Sequence, residues 1–344
     1  MAFKWALLAS IAIVILWVGW VVITGVSSSI FRPRGVDAGF GVMDPPIFTK
    51  TLTSFKSKSF TNESDLPKAS SKIDVYKFLT NEKLTEEQKD DLALFFGLRK
   101  GNKSQKDGLT TWKKSRESTS LKLTTSNSHF TYIRDTSRDT NLFKSKNTLD
   151  KNAALKKTQE IFTELGIGLK DKNIDTSNPV LTYFNFSASG KKKSAEKSAN
   201  AVEIKFYRKV GKILGDGDAP IRLILAEKGR ILEIDFYFSP LNPESAPYPI
   251  ITSSQAWKKV KSGKSFGETK QEFNSVRITK ISLVYWESKF YQPFFQPVWM
   301  FVGIGETKTG DKQFQTFVPA VSSEYLSLDQ EEESSDQPPP VAPN

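Results

Sequence analysis

Apolar and polar positions along this chain follow three patterns, and the first is an unbroken apolar run. Trp5 to Val26 carries no charge. At about 1.5 Å per residue a helix of that length covers roughly 33 Å, enough for the ~30 Å hydrocarbon core of a bilayer. Trp5 and Trp20 lie towards its ends, where indole rings favour the interface, while Trp17 lies deeper. The pattern predicts a transmembrane helix over 5–26 behind a short head, residues 1–4. A cleaved signal peptide is the alternative, with Lys4 as its basic start and Gly25-Val26-Ser27 as a small-residue cleavage site. An apolar stretch of about 7–15 residues serves that role, and this one is longer.

Residues 27–72 are rich in Ser, Thr, Lys, Gly and Pro, show neither helical nor strand period, and are expected to form a stalk. Beyond it the second and third patterns, periods of 3.6 and 2, take turns. Ile73 to Leu79 alternates as a strand, and Leu84 to Leu98 follows as an amphipathic helix opened by the capping box Thr85-x-x-Gln88. Thr119 to Leu123 and Ser128 to Arg134 alternate again and are joined by turn residues, which predicts a hairpin. The order then recurs. A helix runs from Asp150 to Leu165, and alternation returns at Val180–Phe186, Val202–Phe206, Ile221–Ala226 and Ile231–Phe238. After a proline-rich break comes a helix opened by Thr252-x-x-Gln255, then strands at Val276–Trp286, Val298–Ile304 and Phe314–Val318. The expected fold class is therefore α+β: a transmembrane helix, then repeated helix-plus-antiparallel-sheet modules at 73–146, 147–239 and 240–328, with a disordered acidic, proline-rich tail at 329–344.

Composition changes this picture in two places. The formal net charge is +11, and the tail from Asp329 holds five acids and no base, so the body is more basic still. A basic body suits acidic lipid headgroups or wall polyanions, and equally a lysine-rich solvated surface. The short head before an apolar run favours export, so the body is expected outside the cytoplasm, where nucleic acid is not a partner. The absence of cysteine excludes thiol catalysis, thiolate metal sites and disulfides.

Residues that could carry chemistry are few. The single histidine, His129, lies in a strand on the face opposite Phe130 and Tyr132. Ser194-x-x-Lys197 and Lys308-Thr309-Gly310 match two motifs of penicillin-recognising enzymes, but Ser194 falls in a basic loop, Lys308–Gly310 in a turn, and no Ser-Asp-Asn exists. Gly263-Lys264-Ser265 is a helix C-cap rather than a phosphate loop, since Lys258 stands where the first glycine is needed. Asp216-Gly217-Asp218 lacks the further ligands of a cation loop and reads as a hairpin turn. Gly303-x-Gly305 lacks a third glycine and reads as strand glycines beside a turn. No metal site and no cofactor is expected.

The distinctive stretch is C-terminal: Ile281-Ser282-Leu283-Val284-Tyr285-Trp286, then Gln296-Pro297-Val298-Trp299-Met300-Phe301, then Phe314 to Val321, all behind a Trp-bearing helix. Over Thr252 to Val321, and in the layout of anchor then modules, the chain resembles the YycI family and more distantly YycH and PepSY-type modules. That resemblance implies a bacterial, membrane-anchored extracytoplasmic regulator or adaptor without enzymatic activity. The partners expected are the bilayer through Trp5–Val26 and an envelope protein, a sensor kinase or similar, or an anionic wall polymer. Tyr285, Trp286, Phe290, Tyr291, Phe294, Phe295 and Trp299, interrupted by Pro293 and Pro297, are the candidate partner surface, with the end of a core as the other reading. The competing function is a wall-active enzyme using carboxylates that the sequence does not pair.

Overall fold

A computed structural model describes residues 39–327, apart from 49–51, 54–56, 99–101, 115–116, 146, 167–172 and 268–272. Residues from Val42 onward form one unit, to which every described strand and helix belongs. The chain opens with β1 (Leu52–Thr53), β2 (Ser57–Asn62) and β3 (Lys72–Phe78), all members of a ten-stranded sheet. Helix α1 (Glu86–Phe95) leads into a nine-stranded sheet, which begins with β4 (Lys103–Lys106), β5 (Leu109–Lys113), β6 (Ser120–Thr124) and β7 (Phe130–Ile133). Helices α2 (Thr140–Lys144) and α3 (Lys151–Glu164) precede β8 (Val180–Ser187), β9 (Gly190–Lys193) and β10 (Ala201–Phe206). The chain then crosses to the first sheet for β11 (Lys209–Val210) and β12 (Ile213–Gly217). It returns for β13 (Ile221–Ala226) and β14 (Ile231–Phe236), and crosses back for good into β15 (Leu241–Pro249). Helix α4 (Ser253–Lys261), β16 (Ser265–Gly267), β17 (Phe273–Glu287), β18 (Phe294–Thr307) and β19 (Gly310–Pro319) complete the unit.

The nine-stranded sheet is antiparallel throughout, in the order β4-β5-β6-β7-β14-β13-β10-β8-β9. One face carries Leu121, Leu123, Phe130, Tyr132, Ile204, Leu223 and Ile234, and α1 and α3 cover it with Leu92, Ile161 and Phe162. Their burial follows from the alternation that predicted the strands. A bulge opposite Ile224 and Leu225 turns Leu232 towards the other face, where it joins Leu142 of α2. The ten-stranded sheet is mixed. Its spine β16-β19-β18-β17 is antiparallel, whereas β2 and β12 both run parallel to β17. Helix α4 lays Ala256 and Val260 on Ile278, Ile281, Trp299 and Phe301 of one face. Both Thr-x-x-Gln capping boxes form, with Thr85 and Thr252 each exchanging hydrogen bonds with the glutamine three residues on.

The expected α+β architecture, a transmembrane helix followed by helix-plus-sheet modules, is corrected. The fold is mostly β, built on two large sheets, and no helix among the described residues is long and apolar enough to cross a membrane. The predicted span 5–26, the head 1–4 and the tail 329–344 lie outside the described residues. The strands expected in modules 73–146 and 147–239 merge, because β7 pairs with β14 through Phe130–Phe236 and Tyr132–Ile234, while β3 leaves for the other sheet. Period-2 alternation fixes which face of a strand is buried but not which strand lies along its edge, and the module boundaries depended on the latter. Within the expected stalk 27–72, β2 pairs with β17, and Phe60 meets Trp257 of α4 edge-on at 6.0 Å.

Candidate functional site

Four segments pass between the sheets: Leu79–Asn81, Tyr207–Arg208, Asp218–Pro220 and Tyr237–Pro240. Backbone at such crossings has left one ladder before joining the next, so side chains must satisfy it. Asn81 Nδ2 donates to the carbonyls of Asn127 (2.8 Å) and Phe238 (2.7 Å), and Ser128 Oγ donates to Glu82 O (2.7 Å). Asp218 N donates to Glu287 O (2.9 Å), and the Asp218 carboxylate accepts from Lys289 N (3.1 Å). Gly217, at φ +100°, is what lets the chain pass here, since a Cβ would overlap the Glu287 carbonyl oxygen.

At the centre of these crossings lies Arg208, 0% exposed. Its Nε donates to both carboxylate oxygens of Glu287, at 3.0 and 2.8 Å, and Nη2 donates to Ser239 O. The guanidinium lies 4.4 Å from the ring centre of Phe238, 5.3 Å from Phe78 and 5.9 Å from Phe295. Charge pairing and ring faces together offset the cost of removing this ion from water.

His129 sits nearby, its Nε2 3.0 Å from Ser239 Oγ and its ring edge-on to Tyr237. Burial above all, then the positive charge of Arg208, pushes its pKa down to about 4, against a raising effect from its backbone hydrogen bond to Phe238. The imidazole is therefore neutral at neutral pH, and Nε2 shares a hydrogen bond with the serine hydroxyl whose direction the ring's tautomer sets. A serine beside an imidazole is the start of a hydrolytic pair, but two features argue against that chemistry. An imidazole this reluctant to take a proton is a poor general base. Glu287, the carboxylate close by, is committed to Arg208. The crevice they border has a volume of about 30 Å³, room for a water.

Phe78, Leu79, His129, Tyr237, Ser239 and Gln292 line the crevice, with Phe290 and Tyr291 among the residues of its rim. Here the predicted partner surface divides. Tyr285, Trp286, Phe295 and Trp299 are core: Tyr285 stacks on Phe295 at 4.7 Å and donates its hydroxyl to Asp74 O, and Trp299 Nε1 donates to Ile251 O. Burial raises the Tyr285 hydroxyl pKa well above its ordinary value. Phe294 is half-buried where β18 pairs with β3. Phe290 and Tyr291, at 36% and 43% exposure in the β17–β18 connection, remain on the surface.

Carboxylates also converge on Arg222. Glu203, Glu233 and Asp235 surround Arg222 at 3.5, 2.6 and 2.8 Å, on neighbouring strands of the nine-stranded sheet. They are compensated by the guanidinium together with Lys205 on Glu203 (3.3 Å) and Lys191 on Glu233 (3.6 Å), rather than facing one another across a cleft. No group of three or more acids and histidines among the described residues could hold a metal ion. Sequence reasoning missed Arg208, Glu287, Ser239 and Gln292. The one signal was Glu287 itself, a charge directly behind the apolar run Leu283–Trp286.

No protein-family model matches this chain, and no curated protein matches it. Among solved structures it is similar to an uncharacterized protein from Eubacterium rectale ATCC 33656, at 13% identity and a TM-score of 0.44, over 76% of this chain and 88% of that one. None of these comparisons bears on the YycI resemblance, and at that distance the structural likeness says nothing about activity.

Proposed function

We propose that this chain is a non-enzymatic binding protein, a regulator or adaptor, that docks a protein partner through the β17–β18 connection. The observation that carries the reading is the pair Phe290 and Tyr291, adjacent and exposed on a loop that Asp218 pins from below. Aromatic side chains held by a rigid support bring large contact area at low entropic cost, and they dominate binding energy at interfaces. The neighbouring crevice, with its polar wall of Ser239, His129 and Gln292, supplies directional contacts beside them.

A photo-crosslinking amino acid at Tyr291 in living cells is the test. It should trap a discrete partner that the same substitution at Leu214, an exposed residue of β12, does not trap. Identical adducts at both positions, or none at Tyr291, would sink the proposal.

A further inference from the structure

Residues 43–48, Met-Asp-Pro-Pro-Ile-Phe, lie against the ten-stranded sheet on the face opposite α4, where Val284, Trp286, Val298, Met300 and Phe317 point. They are gripped through carbonyls. Trp286 Nε1 donates to Ile47 O at 2.8 Å and Gln296 Nε2 donates to Asp44 O at 2.6 Å. These two carbonyls are three residues apart, one turn of a polyproline II helix, and the intervening Pro45 and Pro46 carry no N–H. At the far end the Phe48 ring stacks on Phe266 with centroids 4.3 Å apart and meets Trp286 at 4.8 Å. At the near end Met43 N donates to Tyr325 O (2.9 Å), Ser327 N donates to Met43 O (2.8 Å) and Ser327 Oγ donates to the Asp44 carboxylate (3.1 Å).

Aromatic walls with an indole N–H aimed at the carbonyls of a proline-containing extended chain are the means by which proline-reading grooves bind their peptides. Trp286, expected from sequence to meet a partner, instead meets the chain's own segment. The fit is incomplete, because Gln296 Oε1 is buried with no hydrogen-bond donor among the described residues. Five hydrogen bonds, the Phe48 ring and the buried side chains of Met43 and Pro46 hold the segment, while Val42 at its start is 64% exposed.

We propose that this groove is a recognition site for extended, proline-containing peptide segments that end in an aromatic residue, and that residues 43–48 occupy it in cis until such a segment of a partner protein displaces them. The cis segment competes at the high effective concentration of a tethered ligand, so the incoming peptide must be abundant or must satisfy Gln296 as well.

The chain has no cysteine, which makes the exchange directly readable. Leu326 is the bridge partner of Met43 and is only half-buried. The full chain carrying Leu326→Cys is incubated with a synthetic peptide of residues 42–49 in which Met43 is replaced by Cys, activated as its mixed disulfide with thionitrobenzoate, so that exchange joins the two cysteines and releases thionitrobenzoate. A disulfide adduct should form at least ten times faster than with a control peptide in which Pro45, Pro46 and Phe48 are all Ala, and Trp286→Phe should slow it severalfold. In the unaltered chain, excess unmodified 42–49 peptide should speed hydrogen exchange of the Met43 amide about tenfold, and this measurement stands if the cysteine variant does not fold. Equal adduct rates with both peptides, or no change in Met43 exchange, overturns the proposal. So does dimerisation of a Phe48→Ala chain without peptide capture, which would make the segment an exchange between copies.

Discussion

Removing Glu287 tests the centre of the molecule most directly. Arg208 is fully buried, and its charge is balanced by one carboxylate that receives both bonds of its Nε, so Glu287→Leu strands a guanidinium among three aromatic rings. Breaking such a pair from one side costs about 3–5 kcal/mol. Arg208→Met alone strands the carboxylate and falls in the same range. In the double variant both desolvation penalties vanish together. What is not recovered is the donor to Ser239 O, about 1–3 kcal/mol for a buried acceptor left unmatched. The double variant should therefore be more stable than either single one, with a coupling of roughly 3 kcal/mol or more. Urea unfolding followed by tryptophan fluorescence reads this directly, since Trp286 adjoins Glu287. The slope against urea must stay constant for the comparison to hold. Additive single effects, each under about 1 kcal/mol as for solvated surface pairs, would refute the reasoning.

Neighbouring residues lead to other outcomes. Free imidazole near pH 6.5 takes a proton that folded His129 refuses until about pH 4, so the unfolded state gains protons first; stability should be flat above about pH 6.5 and fall by up to ~3 kcal/mol as pH drops to about 4. His129→Gln should flatten that slope in unfolding curves measured across the window. Gly217→Ala forces a side chain onto the Glu287 carbonyl at a positive φ and should cost about 1–3 kcal/mol by urea midpoint, whereas Gly310→Ala, which meets open space, should cost less. Trp299→Ala should cost about 3–5 kcal/mol, while Phe290→Ala and Tyr291→Ala stay within about 1 kcal/mol in thermal melts. A fluorophosphonate probe should leave Ser239 unlabelled by mass spectrometry, because His129 is too weak a base to activate it.

Local structure was largely legible in the sequence, and long-range pairing was not. Thr85 with Gln88, and Thr252 with Gln255, announce their helices because a capping box is satisfied within four residues. The alternation at Val202–Phe206 and Ile231–Phe236 fixes which side chains are buried in the same local way. Nothing local says that Phe130 will lie opposite Phe236, more than a hundred residues on, or that β2 will run parallel to β17 rather than hang in a stalk. The site fell between these limits. Aromatic density marked Phe290 and Tyr291 together with Tyr285, Phe295 and Trp299, since composition does not distinguish a ring on a loop from a ring in a strand. Arg208 reads as one more surface cation until Glu287 is brought to it from 79 residues away.

The outer strands have a consequence for how this molecule meets others. Among the described residues β9 ends the nine-stranded sheet with Gly-Lys-Lys-Lys, all four exposed, and β15 pairs only with β3 while carrying Pro243, Pro247 and Pro249. A strand approaching β9 edge-on would have to crowd its lysines together, and one approaching β15 would find amides missing from the backbone. Two large sheets in one chain are an invitation to stack into fibres, and these borders decline it. Edge pairing is thereby discouraged at these two borders, and β1 and β11, two residues each, offer little ladder to extend, which leaves β4 and β2, each with one partner strand among the described residues, as the edges where another chain could add.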